Sequence, residues 1–310
     1  MALGYAEACV IGALQGVAEL FPVSSLGHSV LLPALIGGTW ATDLSVRSSD
    51  SPYLAFVVLL HVATALALLI FFRKDWVRII GGLLTSIRKR RIETSAERLA
   101  WLLIAGTVPV GLVGLVLEHQ LRVHAGTPRA ASAFLIVNGL VLLLAERLRR
   151  RSVASGAAGT GTADGPAGHH DADAALASDE RLSTMPWRDG VIVGAAQIGG
   201  LLPGMSRSGV TISTGVLRGL SHEDASRFAF LLATPIILAA GVFKAGDLTD
   251  DKLNPGGHLW GPFLVGAALS FVGAYVSVKF LVKYFQTRTL TPFAIYCLLA
   301  GTACLIRFTA

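Results

Sequence analysis

The chain has 310 residues, of which 53% are hydrophobic and only 15% are charged, and its mean hydropathy is +0.62. This composition excludes an ordinary soluble enzyme, because several apolar runs reach the roughly 20 residues that cross a bilayer. The formal net charge of +6 does not indicate nucleic-acid binding, since the basic residues cluster at the ends of apolar runs, where they set membrane orientation.

The first apolar stretch, residues 5–36, is interrupted between Pro22 and Gly27. Proline, glycine and hydroxyl residues at membrane depth predict two half-helices that meet at a break, a re-entrant hairpin rather than two full spans. A polar loop over 37–52 follows. Three transmembrane helices are then predicted, at about 53–72, 98–117 and 130–147.

Charge predicts the topology of this first half, residues 1–151. The loop after the first span carries seven basic residues between 73 and 91, and the third span ends in a basic run at 146–151, so both are predicted to be cytoplasmic. The loop near 119–129 is then external. Residues 152–185 are rich in Ala, Gly, Ser and Asp without an apolar period, which predicts a disordered cytoplasmic linker. Its His169-His170-Asp171 run could bind a metal, but no fixed geometry holds it.

The second half, residues 186–310, has the same plan. A broken apolar stretch covers 188–219, and spans are predicted at about 225–246, 259–282 and 291–308. The sequences IGALQ, ending at Gln15, and VGAAQ, ending at Gln197, are alike, and a proline break follows each. Because three spans is an odd number, the second half enters the membrane from the opposite side. We therefore expect an all-α polytopic membrane protein built as an inverted repeat, with both breaks near the midplane.

The second break has the residue types of a phosphate site. Pro203-Gly204 ends one half-helix, and the next begins near Ser206, where a helix N-terminus offers free N–H groups and a positive dipole end. Arg207 can hold phosphate oxygens with its planar fork, and further hydroxyls come from Ser208 and Thr211. The structural alternative is a capped helix whose arginine pairs with a carboxylate such as Glu19, and the two roles are compatible.

The first break has candidates for catalysis. Ser24 or Ser25 can simply cap the following half-helix. His28 lies one turn after Ser25, so a serine could lie beside a base, the minimal arrangement for a nucleophile. Glu19 could act as base, as metal ligand or as the group that orients His28. Gln15, one turn before Glu19, can only hydrogen-bond or lend its carbonyl to a metal.

At these residues the sequence resembles the bacterial undecaprenyl-diphosphate phosphatase family, also called bacitracin-resistance proteins. The first motif reads QGVAELFPVSSLGH from Gln15 to His28, and the second reads PGMSRSGVT from Pro203 to Thr211. The stretch FAFLLATP from Phe228 to Pro235 is similar to the family's next helix. Three departures stand out: Gln15 replaces the commoner Glu, His61 stands where we expect Gln, and the long 152–185 linker looks like an insertion. His61 could line the same cavity or serve only in packing.

The resemblance implies hydrolysis of undecaprenyl diphosphate to the carrier lipid monophosphate and phosphate, and with it roles in cell-wall synthesis and bacitracin resistance. It implies a multi-pass protein of the bacterial plasma membrane, a site open to the outer face, a divalent cation (Mg²⁺ or Ca²⁺), and a homodimer. Carried over onto this chain, Glu19, Ser25, His28 and Arg207 are catalytic. The predicted metal ligands are Glu19 and Gln15. The predicted diphosphate ligands are Ser24, Gly204, Ser206, Arg207, Ser208 and Thr211.

Two alternatives compete with hydrolysis. Inverted repeats with broken helices are a transporter architecture, so the same pocket could move a lipid diphosphate across the membrane without cleaving it. The other integral lipid-phosphatase family has a histidine six residues after its motif arginine; that position here is Ser213, which argues against it. The sequence also leaves two nucleophiles open, Ser25 and a water activated by His28 and Glu19.

Overall fold

A computed structural model describes residues 3–45, 52–154, 171–244 and 258–310, and every regular element in these ranges is helical. The elements in chain order are α1 Tyr5–Ala18, α2 Ser25–Ile36, α3 Gly38–Asp43, α4 Pro52–Phe71, α5 Arg73–Lys89, α6 Ser95–Ala125, α7 Pro128–Ala154, α8 Asp171–Ser183, α9 Trp187–Ala195, a 3₁₀ helix Ala196–Leu201, α10 Arg207–Leu217, α11 His222–Phe243, α12 Trp260–Thr287 and α13 Thr291–Thr309. The all-α class is confirmed.

The described residues contain six helices long and apolar enough to cross a membrane. They are Pro52–Phe71, Ser95–Leu117, Pro128–Ser152, His222–Phe243, Trp260–Thr287 and Thr291–Thr309. Each lies within a few residues of a span drawn from the sequence. The chain is therefore a multi-pass membrane protein. Parts of the predicted features fall outside the described residues: residues 46–51 of the polar loop, residues 155–170 of the linker with His169 and His170, and residues 245–257 between α11 and α12.

Three segments predicted as loops are at least partly helical. Within the predicted polar loop over 37–52, Gly38–Asp43 form the helix α3, which is too short for a helical period to show in the sequence. The basic loop after the first span contains α5, whose apolar residues are spaced at helical intervals. Its many charged residues led to the prediction of a loop instead of an amphipathic helix. The expected external loop near 119–129 is largely a continuation of α6, which runs to Ala125.

The predicted disorder of 152–185 is wrong over 171–183, which form α8. Tertiary ion pairs explain the difference, because they order a helix too polar to fold on propensity alone. Arg181 donates to both carboxylate oxygens of Asp224 at 2.7 Å, and Arg227 donates to Asp179 at 2.8 Å. The pairing with Asp224 also raises the pKa of Arg181 above its ordinary value.

Close packing against α12 fixes the position of α1. A Cβ added to Gly12 would lie 2.7 Å from Gly266 Cα, and one added to Gly16 would lie 3.0 Å from the Ala274 amide. Small residues at such contacts let two helix backbones approach each other within a membrane. The end of α1, where the first break begins, is thereby held against the rest of the bundle.

Candidate active site

The carboxylate of Glu19 is the centre of the site. It directly follows α1, and its side chain is only 5% exposed. Arg207 Nη2 donates to Glu19 Oε1 at 2.6 Å. On the other oxygen, Oε2 accepts from Gln15 Nε2 at 3.0 Å and from the Ser25 hydroxyl, and His61 Nε2 lies 3.2 Å away. A buried carboxylate is costly unless it is paired and hydrogen-bonded, and here four side chains satisfy it.

Ser25 and Arg207 hold equivalent positions in the two breaks. Ser25 is the first residue of α2, and Arg207 is the first residue of α10. Each follows a serine N-cap, Ser24 or Ser206, whose Oγ accepts from the amide three residues on at 3.1 Å in both helices. The positive ends of two helices therefore converge on Glu19, which is an arrangement suited to anions.

Direct hydrogen bonds join the two breaks to each other. Ser24 Oγ also accepts from the amide of Gly204 at 3.1 Å. The side chain of Asn138, in α7, donates to the Pro22 carbonyl and accepts from the Ser206 amide, both at 3.0 Å. These bonds satisfy backbone groups that the interrupted helices leave unpaired, which is the condition for a break at membrane depth.

The predicted hydroxyl ligands of a diphosphate are engaged within the protein. Ser208 Oγ donates to the Phe21 carbonyl at 3.2 Å and lies 3.0 Å from Ser206 Oγ, while Thr211 Oγ1 donates to the Arg207 carbonyl at 2.7 Å. Of the predicted diphosphate ligands, Arg207 is the one whose side chain reaches the Glu19 carboxylate. In the structure the hydroxyls of the serines make hydrogen bonds at the helix ends.

The expected contact between Ser25 and His28 does not form. His28 Nδ1 lies 2.7 Å from the Ser24 carbonyl, and Nε2 lies 2.6 Å from the Tyr296 hydroxyl, on whose ring the imidazole stacks. A helical side chain points back toward the carbonyl four residues earlier, so the His28 ring nitrogen forms its hydrogen bond with the Ser24 carbonyl. The base beside the Ser25 hydroxyl is Glu19 instead.

His61 and Gln15 complete the surroundings of the carboxylate. His61 Nδ1 lies 2.7 Å from the Val57 carbonyl, so both ring nitrogens face acceptors, and the side chain is 26% exposed. The carbonyl Oε1 of buried Gln15 has no hydrogen-bond partner. Within the described ranges, no three His, Cys, Asp or Glu residues cluster as metal ligands.

Oxygen donors for a hard cation do exist, however: the Glu19 carboxylate and the free Gln15 carbonyl. Mg²⁺ is usually held by one or two carboxylates together with substrate phosphates. Glu19 offers one carboxylate here, and a cation would share its oxygens with the side chains that already donate to them.

The site lies at the middle depth of the bundle. His61 is near the centre of the 20-residue helix α4, and Asn138 is near the centre of the span Pro128–Ser152. A charged cluster at that depth indicates function rather than packing alone.

Comparison with known families agrees with this geometry. The family model described as bacitracin resistance protein BacA matches residues 8–303. The chain belongs to this family. A protein of Mycolicibacterium paratuberculosis named undecaprenyl-diphosphatase is 59% identical over 304 residues, which cover 98% of this chain and 97% of its own. Undecaprenyl-diphosphatase 1 of Frankia casuarinae is 50% identical over 367 aligned residues (98% of each chain), and undecaprenyl-diphosphatase 2 of Chromobacterium violaceum is 41% identical over 303 residues (97% of each).

In this BacA family member, sequence reasoning missed two residues of the site. Asn138 is a single amide side chain within an apolar span, and a polar residue in such a place indicates a functional role. Tyr296 gave no such signal, because it lies near the start of α13 and tyrosines are common near the ends of membrane helices. The sequence leaves open whether His61 lines the cavity or serves only in packing. In the structure it lies beside Glu19.

Proposed function

We propose that this chain hydrolyses undecaprenyl diphosphate to undecaprenyl phosphate and inorganic phosphate, recycling the carrier lipid for cell-wall synthesis and conferring bacitracin resistance. The names of its full-length relatives support this reaction. The proposal rests on one observation: Ser25 and Arg207, each at a helix N-terminus, both donate hydrogen bonds to Glu19.

The diphosphate would bind at the converging ends of α2 and α10. The first N–H groups of a helix have no intrahelical partners, so they are available to phosphate oxygens. The Arg207 guanidinium uses one Nη on Glu19 and retains further N–H donors for a phosphate. Charge that develops on the terminal phosphoryl group would be stabilised there by fixed donors. The isoprenoid tail would lie along apolar helix faces open to the bilayer.

Glu19 would act as the general base. Its carboxylate already accepts the Ser25 hydroxyl hydrogen bond, so it can take that proton as Ser25 Oγ attacks the terminal phosphorus. The bond from that phosphorus to the bridging oxygen breaks, and undecaprenyl phosphate leaves. Glu19 passes the serine proton on to the departing phosphate oxygen. Water then attacks the phosphoserine phosphorus and gives a proton to Glu19, the bond from phosphorus to Ser25 Oγ breaks, and Glu19 returns that proton to Oγ, which releases phosphate and restores Ser25. In the competing version, water deprotonated by Glu19 attacks directly.

A divalent cation, Mg²⁺ or Ca²⁺, would be held by Glu19, the Gln15 carbonyl and the substrate's own oxygens. When bound, it would supply positive charge against the phosphoryl oxygens. The other residues bind and orient without it: Arg207 anchors the diphosphate, and Asn138 keeps the two helix ends together.

The inverted repeat, the orientation and the dimer belong to the same proposal. Matching serine caps at the starts of α2 and α10 support a repeat whose breaks meet near the midplane. Basic residues after α4 and at the end of α7 support a cytoplasmic location for those ends in the plasma membrane, with the site open to the outer face. We expect a homodimer, which light scattering of the purified protein would measure.

Phosphate release from a polyprenyl diphosphate by the purified protein, with Mg²⁺ or Ca²⁺, tests the function. Arg207→Ala should abolish release, while Arg218→Ala, at the other end of α10 and paired with Asp189, should retain it. A folded protein that binds the lipid and translocates it between the leaflets of a vesicle without releasing phosphate would establish the transporter alternative instead.

A further inference from the structure

Helix α5 presents an apolar stripe that the described part of the chain leaves uncovered. Val77, Ile80, Leu84 and Ile87 recur at helical spacing on one face, and their exposed fractions are 74%, 49%, 63% and 55%. The opposite side of α5 packs against the protein through both apolar and polar contacts, with Ile79 buried in the core. Apolar residues therefore lie on the exposed side of α5 as well as on its buried side.

Contacts along its inner face place α5 across the ends of the spans. Ser86 Oγ accepts from Trp101 Nε1 at 2.9 Å, within the first two turns of α6. Near its other end, Asp75 accepts from Arg227 at 2.9 Å, within the first two turns of α11. Because α5 also connects the end of α4 to the start of α6, it lies at one membrane surface, where an apolar stripe meets the acyl chains.

A basic run continues directly from the stripe. Arg88, Lys89, Arg90 and Arg91 are all exposed, and within the described residues only Lys89 of the four has an ion pair, with Glu93 at 2.9 Å. Apolar residues on one face joined to clustered Lys and Arg are the pattern of a helix that lies in the membrane surface. Clustered basic residues at that depth attract anionic headgroups.

We propose that α5 and residues 88–91 form a binding site for anionic phospholipids, with the stripe in the acyl region and the basic run on the headgroups. The observations favour lipid over a second copy of the chain, because a run of exposed positive charges on both partners would repel. The inner contacts of α5 reach α6, α8 and α11, so lipid binding would also stabilise this end of the bundle.

The test uses the full-length protein in detergent, titrated with phosphatidylglycerol or phosphatidylcholine. Retained lipid is counted by native mass spectrometry, and the apparent Tm is measured alongside. The parent should retain phosphatidylglycerol preferentially and gain Tm with it. The variant R88Q/K89Q/R91Q should lower the preference for phosphatidylglycerol at least about tenfold, since each basic residue near an anionic surface adds several-fold to affinity.

The matched control, R147Q/R149Q/R151Q, removes the same charge from the end of α7 and should change the preference by less than about twofold. Equal losses from both triple variants would overturn the proposal, because net charge alone would then explain the preference. Leu84→Ser should weaken retention of both lipids. If Leu84→Ser instead converts a dimer to a monomer and leaves lipid retention unchanged, the stripe is a protein interface and the proposal is wrong.

Discussion

Ser25 and Arg207 bind opposite oxygens of the Glu19 carboxylate, each from the first position of a half-helix that begins after a serine cap. The first break thus contributes a hydroxyl, and the second a guanidinium, to the same buried carboxylate. The proposed chemistry depends on this relationship, because the proposed nucleophile, base and anion-binding group lie together before any substrate arrives.

Ser25→Ala distinguishes the two nucleophiles. If Ser25 Oγ attacks phosphorus, the variant should lose on the order of 10³-fold or more in kcat, as is typical when a nucleophile is removed. Phosphate release measures it. Ser29→Ala is the control, since that buried hydroxyl donates only to the Ser25 carbonyl at 3.1 Å, and it should stay within a few-fold of the parent. Substantial turnover by Ser25→Ala would assign the attack to water.

Glu19→Gln tests the shared carboxylate. The amide keeps the shape but cannot accept a proton as a base, so kcat should fall by about 10²–10⁴-fold. In the proposed mechanism Ser25 and Glu19 act as a unit, so combining Glu19→Gln with Ser25→Ala should cost little more than the worse single change. Single effects that add fully would contradict a serine–glutamate unit.

His61→Ala should reduce kcat by about tenfold or more, because a hydrogen bond to a charged group contributes about 1.5–3 kcal/mol. His61 Nε2 lies 3.2 Å from Glu19 Oε2, so its loss leaves the buried carboxylate with fewer partners. His61→Gln keeps an N–H donor and should recover most of the activity. If both variants are equally impaired, the ring itself matters and the donor role is wrong.

Gly27→Ala should destabilise the protein, although alanine is normally the better helix former. A Cβ at position 27 would lie 2.8 Å from Gly204 Cα and 2.9 Å from the Gly204 amide, so the two breaks would be forced apart. Overpacking of this kind costs about 1–3 kcal/mol, which a lowered apparent Tm would report. Gly81→Ala, with nothing within 4 Å of the added carbon, should be neutral or stabilising.

Asn138→Asp should weaken the hydrogen bonding that links the two breaks. The change replaces the N–H donor to the Pro22 carbonyl with an acceptor, so two oxygens would face each other where a 3.0 Å hydrogen bond now lies. A buried polar group left unsatisfied costs about 1–3 kcal/mol. We expect a lower apparent Tm and reduced phosphate release together. Loss of activity at unchanged Tm would point instead to direct contact between Asn138 and substrate.

Much of the fold could be predicted because hydrophobic length is a strong signal. Each of the six apolar runs must be long enough to cross the bilayer, so counting residues located every candidate span. The amphipathic helix α5 and the polar helix α8 escaped the same reasoning. The apolar residues of α5 do recur at helical intervals, but its many charges favoured a loop. The order of α8 depends on partners distant in sequence, such as Asp224 for Arg181, and no local pattern contains that information.

The sequence by itself determined the composition of the site: two breaks, a carboxylate, hydroxyls and an arginine at apolar depth, in motifs specific to one family. Tertiary structure alone decided which of them meet. In the folded protein His28 contacts Tyr296, the Ser25 hydroxyl donates to Glu19, and Asn138 hydrogen-bonds across the two breaks. The physical reason is that buried polar groups must find partners, and which partners lie within 3 Å depends on how helices far apart in the chain pack together.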